Sequence, residues 1–403
     1  MDIRNDQVDS IPVVTPEEFA RACPHDIDAC RRVTPVLRTS PERVVALRAD
    51  DVLKLTRNPR LVQLPGDRLA ALAGTPPGYV TNFLTDFMLL RNGDEHRKLR
   101  GAFAKTFAHP VMRRKREQIR ATADRIVADL PRGETFDFLD LCASRLPAEM
   151  IAAVLGFPTD QSRWFARQVY SFSCCLTIPY AIDRHNEIEA AARALYEFTT
   201  DTLAERRKNP RDDLLSMLAT DVSARALEPE VLVHQVMGVI LAGSDTTRAA
   251  FNMLVGRLLQ DPSLWQEVLE NQDLIPAAVN EGLRLEPPVG SMPRYSKGAI
   301  EFDGVTVGPE QHISLSTLSA MRDERHFQQP EEFRLQRADH KHPHPVFGGG
   351  AHRCLGEMLA RIELEEGLAA LMAGAPGIEL VSPPSMEGTS GIRRTTPLMA
   401  IIR

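Results

Sequence analysis

Apolar residues recur every three to four positions along most of this 403-residue chain, the spacing that lays one apolar stripe along an α-helix. The spacing predicts a short strand followed by a helix over 41–59 (PERVVALRADDVLKLTRNP), two helices meeting near Pro110 over 96–130, and further amphipathic helices over 136–156 and 185–208. Strict alternation, the mark of a strand with one buried face, collects late. The stretch AIEFDGVTVGPEQHISLSTLSA (299–320) alternates and is broken by the turn pairs Asp303-Gly304 and Gly308-Pro309. The expected fold class is mainly α with a small β portion. No repeat, low-complexity tract or polar Pro/Gly-rich boundary divides the chain, so a single domain over 1–403 is expected, with 1–34 as a loosely ordered N-terminal segment.

The longest apolar pattern runs from Pro229 to Gln260, PEVLVHQVMGVILAGSDTTRAAFNMLVGRLLQ. Pro229 suits a first helical position, and Asp261-Pro262 closes the pattern. A helix of that length spans about 48 Å, and its apolar circumference assigns it to the core. Its middle, Ala242-Gly243-Ser244-Asp245-Thr246-Thr247, breaks the pattern. A buried Asp is costly unless paired or functional, and Gly243 in mid-helix costs about 1 kcal/mol against Ala. Two readings stand. One is a bend whose Thr hydroxyls bond back to the preceding turn; the other is a groove beside a ligand, with an acid and a hydroxyl poised to relay protons.

Composition narrows the class. With 43% hydrophobic and 25% charged residues the chain is ordinary for a globular protein, and its formal charge of −6 argues against general nucleic-acid binding. The opening residues, MDIRNDQVDSIPVV, scatter charges and hold no apolar core, so no signal peptide is read there. No apolar run reaches the roughly eighteen residues of a membrane span, and a cytoplasmic protein is expected. Six cysteines (Cys23, Cys30, Cys142, Cys174, Cys175, Cys354) are too few and scattered for a disulfide framework, and none forms CxxC. Most are expected to be reduced, buried, small hydrophobes. Histidines alternate at His340, His342 and His344 in a Pro-broken loop, read as solvated rather than metal-binding.

Cys354 keeps different company. It follows three glycines, a histidine and an arginine in FGGGAHRCLG (347–356), and a helical pattern begins behind it at 355–374. A nucleotide-binding glycine loop would end in GK[ST], which is absent. A nucleophilic cysteine needs a partnered base, and His352, two residues away, points to none. Elsewhere Glu281 and Arg284 share a helix face at i, i+3, flanked by Ala278, Val279, Leu283 and Leu285, which suggests a buried pair.

Together and in this order, A-G-S-D-T-T at 242–247, E-x-x-R at 281–284 and F-G-G-G-A-H-R-C-L-G at 347–356 resemble the cytochrome P-450 haem-thiolate monooxygenases, specifically their soluble bacterial members. The last stretch fits the family's F-x-x-G-x-x-x-C-x-G pattern at Phe347, Gly350, Cys354 and Gly356, and the resemblance runs from about residue 35 to the C-terminus.

The resemblance implies the P-450 fold, one compact domain with a long central helix. It also implies haem b (iron protoporphyrin IX) with Cys354 as the axial metal ligand. A thiolate rather than a thiol ligates iron, and a helix start favours negative charge. Phe347, Gly348 and Gly356 belong to the sulfur side, Gly243 to the opposite face, and His96, Arg100, Arg294 and His352 to the propionates. Glu281 and Arg284 resemble the family's buried ion-pair network behind the cysteine loop. Its third member falls in PEEFRLQR (330–337), where Glu332 replaces the usual arginine and Arg334 or Arg337 stands in. Thr246 would hold dioxygen and a water while Asp245 feeds protons, so that one oxygen atom of O2 enters the substrate. Electrons would come from a ferredoxin and an NAD(P)H-dependent ferredoxin reductase. The basic residues Arg97, Lys98, Lys105, Arg113, Arg114, Lys115 and Arg116 form either the docking face or a solvated one. A monomer is expected.

The substrate is expected to be a small-to-medium hydrophobic molecule, with pocket walls from 78–92, 170–182, Val239, Ala242, Gly243, 289–292 and Gly391-Ile392. Two other readings stay open. A haem-thiolate ligand-binding or sensor protein would not need Asp245-Thr246. A peroxide-driven enzyme would carry an Arg near the helix centre, where Arg248 comes two positions too late.

Overall fold

The structure, a computed structural model, describes residues 11–158, 161–176, 180–220, 227–339 and 344–403. Its longest element is the helix Pro229–Gln260, with the bounds the apolar pattern predicts. Pro229 occupies the first turn, where a missing N–H is no loss. At the other end the Asp261 carboxylate accepts from the Ser263 amide at 3.0 Å and starts the next helix, Pro262–Glu270. No helix among the described residues is long and apolar enough to cross a membrane.

By their internal contacts the described residues fall into two compact units, each built from separate stretches of chain. One comprises Met1–Leu64, Pro276–Cys354 and Ser385–Thr396. It carries the largest sheet, in the order Val36–Ser40, Arg43–Ala46, His312–Ser316, Val289–Ser296, Gly391–Ile392, with Leu61–Val62 also pairing to Val289–Ser296. Arg43–Ala46 runs parallel to His312–Ser316, and the other pairings are antiparallel. Both faces of the sheet are covered. Val44, Ala46, Ile313 and Leu315 pack with Val52 and Leu55 of the helix Ala49–Leu55. Leu37, Val45 and Leu47 pack with Phe19, Ile27 and Cys30 from the helices Pro16–Arg21 and Pro24–Val33. That double burial is why 44–47 reads as an unbroken apolar run rather than an alternating one. Each such side chain contributes about 1.5–3 kcal/mol.

The second unit comprises Pro65–Ile275, Leu355–Pro384 and Pro397–Arg403. It is mostly helical and includes Arg145–Leu155, Ser162–Ser173, His185–Lys208, Pro229–Gln260 and Glu357–Gly374. Two local expectations change here. Over 96–130 there are three helices rather than two: Gly93–Ala104, His109–Arg113 and Arg116–Ala128. Pro110 sits in the first turn of the middle one, a position that tolerates it. The expected helix over 136–156 opens as a strand, Thr135–Asp137, followed by a π turn, Leu139–Ala143, before Arg145–Leu155. The strand forms because Phe136 pairs with Ala400, far along the chain and invisible to local periodicity.

Candidate functional site

In the first unit the cysteine loop is held by its own backbone. The Cys354 amide donates to the Phe347 carbonyl oxygen at 2.8 Å, and the Gly348 amide donates to Pro345 at 2.8 Å. Gly348 and Gly350 have φ of 69° and 63°, the left-handed region that favours glycine. A Cβ on Gly350 would also stand 2.8 Å from the Thr56 carbonyl oxygen, so this glycine is required twice over. Phe347 is buried, with the His344 ring edge-on to it at 6.4 Å. His352 ends the short turn Gly350–His352, partly buried.

Cys354 itself is exposed, whereas Cys30, Cys142, Cys174 and Cys175 are buried. Burial pushes the Cys30 thiol up to about 11 and the Cys142 thiol up to about 12, which makes both inert. His344, read from sequence as solvated, is instead buried and donates from Nε2 to the Asn280 carbonyl at 3.2 Å. His340 and His342 lie outside the described residues, as do 177–179 of the expected pocket wall. No cluster of metal-ligating side chains occurs among the described residues.

Behind the loop in sequence, Glu281 and Arg284 form a fully buried pair through two 2.8 Å bonds. The third member is Arg337, whose Nε donates to Glu281 Oε1 at 2.7 Å. Arg334 contributes only its backbone amide, at 3.0 Å to the same oxygen. Arg284 also donates to the carbonyls of Met321, Pro330 and Glu332, so Glu332 supplies backbone where an arginine was expected.

Arg294 is 6% exposed and makes no ion pair among the described residues. It donates to the Pro293 carbonyl at 2.8 Å and, with the Gln63 amide turned to accept, to Gln63 at 3.0 Å. Burial alone pushes its guanidinium down to about 10. A buried cation without a carboxylate is what an enclosed propionate requires.

In the second unit the central helix is open where the sequence pattern breaks. Ser244, Asp245 and Thr247 are buried, but Ala242 is exposed and Gly243 and Thr246 are partly exposed. At i, i+1 and i+4 these three share one face. The Thr246 hydroxyl donates back to the Ala242 carbonyl at 2.9 Å, and Ser244 does the same to Ile240 at 2.9 Å. Both sequence readings therefore meet here: hydroxyls bonded to the preceding turn, on a face left uncovered.

Asp245 is paired with Arg248 of the same helix, which donates from Nε at 3.0 Å and again from Nη2. The Arg248 guanidinium lies 3.9 Å over the Tyr170 ring, and Tyr170 donates to the Ser144 carbonyl at 2.6 Å. Tyr170 opens the 170–182 stretch read as pocket wall, but its place beneath a guanidinium carried no sequence signal. The i, i+3 spacing of Asp245 and Arg248 was the available signal for that pair.

His96 and Arg100 lie one turn apart on Gly93–Ala104. His96 is buried, and burial first, then the Arg100 charge, holds its imidazole below the ordinary value and therefore neutral near pH 7. Glu363, on Glu357–Gly374, is fully buried with neither carboxylate oxygen hydrogen-bonded among the described residues, and burial pushes it well above the usual carboxylate range. At Gly356, which caps that helix, no heavy atom lies within 4 Å of where a Cβ would sit. Within the second unit the free space at Gly356 and the uncovered face at Ala242, Gly243 and Thr246 each suit a flat ring, and within the first unit Arg294 suits a propionate.

Two of the seven basic residues, Arg97 and Arg116, are committed to ion pairs. Arg97 pairs with Asp94, and Arg116 with Glu365 at 2.6 Å and with Glu366. Arg113, Arg116 and Arg361, with Met358, Ile362 and Glu365, line an open groove of about 510 Å³.

Residues 177–373 match a family described as Cytochrome P450. Among curated relatives, the plant-inducible Cytochrome P450-pinF1 of Rhizobium radiobacter is 40% identical over 91% of this chain and 86% of its own length. Mycinamicin IV hydroxylase/epoxidase of Micromonospora griseorubida is 30% identical over 90% of this chain and 91% of its own. The crystal structure of the myxobacterial cytochrome P450 CYP267B1 with myristic acid superposes with a TM-score of 0.82 at 28% identity, covering 97% of this chain and all of that one.

Proposed function

The chain belongs to the cytochrome P450 family, and from that premise we propose how its own residues serve a haem-thiolate monooxygenase. Haem b, when bound, supplies the activation of O2. Cys354, exposed at the end of a loop fixed by its bond to Phe347, presents the thiolate ligand. Buried Phe347 limits water at the sulfur, and Gly348 and Gly356 leave the backbone bare beside the ring. Arg294 and His352, together with neutral His96 and cationic Arg100, hold the propionates. Gly243 would leave the central helix bare where the group approaches it.

The observation that carries this reading is the uncovered stretch of an otherwise buried helix at Ala242, Gly243 and Thr246, with Asp245 beside it. Thr246 Oγ1, released from the Ala242 carbonyl, would hold a water and a proton on the uncovered face of the helix. Asp245 moves protons inward from its carboxylate, which the Arg248 guanidinium holds in place. A pure ligand-binding protein has no use for that arrangement. The pairing of Arg248 with Asp245 also speaks against a peroxide-driven variant, since this arginine is occupied.

The substrate is a small-to-medium, largely apolar molecule. Relatives that act on mycinamicin IV or were crystallised with myristic acid support that class. A ferredoxin, reduced by an NAD(P)H-dependent reductase, docks at the arginine-lined groove. With screening over about 10 Å at 0.1 M salt, electron transfer should slow as salt rises. The test is reconstitution with ferredoxin, reductase and isotopically labelled O2. A product carrying one labelled oxygen supports the reading; an unlabelled product, or turnover with peroxide alone, overturns it.

A further inference from the structure

Asp245 is gripped on one oxygen only. Arg248 Nε donates to Asp245 Oδ1 at 3.0 Å, and Arg248 Nη2 reaches the same oxygen. Among the described residues no hydrogen bond reaches Oδ2. A guanidinium and a carboxylate left to themselves prefer to meet fork to fork, with two parallel N–H···O bonds and both oxygens engaged. The one-sided grip therefore calls for a third group that seats the guanidinium.

That group is Tyr170, on the helix Ser162–Ser173 of the same unit. Its ring centroid lies 3.9 Å from the Arg248 guanidinium carbon. The ring is itself pinned, because its hydroxyl donates to the Ser144 carbonyl oxygen at 2.6 Å. Ser144 follows the π turn Leu139–Ala143, and its amide donates to the Leu139 carbonyl at 2.8 Å, just before the helix Arg145–Leu155 begins. The acceptor thus stands at a fixed junction of two elements. Burial pushes the Tyr170 phenol up, so it stays protonated and remains a donor. The Arg248 side chain is 18% exposed and that of Asp245 7%. Water is largely excluded there, which is where a cation over an aromatic face is held most firmly.

The contacts form one chain: Ser144 carbonyl, Tyr170 ring, Arg248 guanidinium, Asp245 Oδ1. We propose that Tyr170 is a positioning residue for proton delivery, confining Arg248 to Asp245 Oδ1 so that Oδ2 stays open to take up a proton and pass it toward Thr246. Without the ring the guanidinium turns to meet both oxygens, and an arginine N–H then occupies the oxygen that should carry the proton. This role rests on the monooxygenase reading and adds to it a residue from outside the central helix.

The experiment has two readouts on the haem-loaded protein. The first is product per NAD(P)H with myristic acid as probe substrate, in H2O and in D2O, with ferredoxin and reductase supplied. Tyr170→Leu should lower it by about three- to tenfold, and the slowing in D2O should grow. Tyr170→Met, the second variant without a ring, should behave alike, while Tyr170→Phe should lose less, since the ring remains. A lysine ammonium has no fork and cannot span both oxygens. In an Arg248→Lys background, loss of the ring should therefore change coupling by less than about twofold. The second readout is the crystal structure of Tyr170→Leu, which should show Arg248 on both Asp245 oxygens whatever the substrate. Native coupling in the ring-less variants, an equal loss in both backgrounds, or a one-sided grip that persists in the variant structure overturns the role of Tyr170 and leaves the monooxygenase reading intact. A native protein without a thiolate-haem spectrum overturns both.

Discussion

The backbone amide of Cys354 donates to the carbonyl oxygen of Phe347 at 2.8 Å, closing the loop on itself and fixing where the thiol emerges. That closure depends on the left-handed turn at Gly350, whose missing Cβ leaves the Thr56 carbonyl its place. Gly350→Ala should therefore cost about 1–3 kcal/mol of local strain. The expected result is purified protein with less haem per chain, measured by haem-to-protein absorbance ratio. Full occupancy in the variant would show that the loop adapts.

Thr246→Ala removes the hydroxyl from the open face of the central helix without disturbing a buried contact. Reductant consumption should continue while product per NAD(P)H falls by about tenfold or more, the scale of a lost proton-transfer group. Unchanged coupling would contradict the assigned role. Thr246→Ser, which restores a hydroxyl, should recover much of the loss.

Glu281 receives Arg337 through its side chain and Arg334 through its amide only. Arg337→Ala leaves a buried carboxylate short of one partner and should destabilise by about 3 kcal/mol. Arg334→Ala should change little, since the amide survives the substitution. Denaturant melts of the two variants separate the cases, and equal losses would refute the distinction.

Glu363 titrates above its ordinary value because burial disfavours its charged form. The folded state therefore binds this proton more tightly than the unfolded chain does. The stability it contributes is complete below the unfolded value of 4.5 and is lost as pH rises toward the folded one. Glu363→Gln, isosteric and uncharged, should raise the melting temperature more at pH 8 than at pH 5. A pH-independent effect would mean that Glu363 is hydrated and ionised in the fold.

Much of this was legible in the residues, and the exceptions have physical causes. The central helix was readable to its ends because Pro229 and Asp261-Pro262 punctuate a long periodic run. FGGGAHRCLG was readable because the chemistry of a thiolate loop dictates glycines at fixed places. Thr135–Asp137 was not, since its partner strand Met399–Ile402 comes from the other end of the chain. Residues 109–113 form a separate helix because proline in a first turn starts a helix as readily as it ends one. The third member of the Glu281 network was narrowed to two arginines, and only three-dimensional placement separated a side-chain contact from a backbone one. Tyr170 was read only as part of a pocket wall, because a ring beneath a guanidinium is a fact of packing, not of pattern.

The central claim is that Cys354 ligates haem iron as a thiolate, and the most direct measurement is the absorbance difference spectrum of the reduced protein on adding carbon monoxide. Native protein should give the strongly red-shifted Soret band of thiolate ligation, and Cys354→His should bind haem yet lose that band. A native spectrum without the shift, or a shifted band that persists in Cys354→His, would contradict the account.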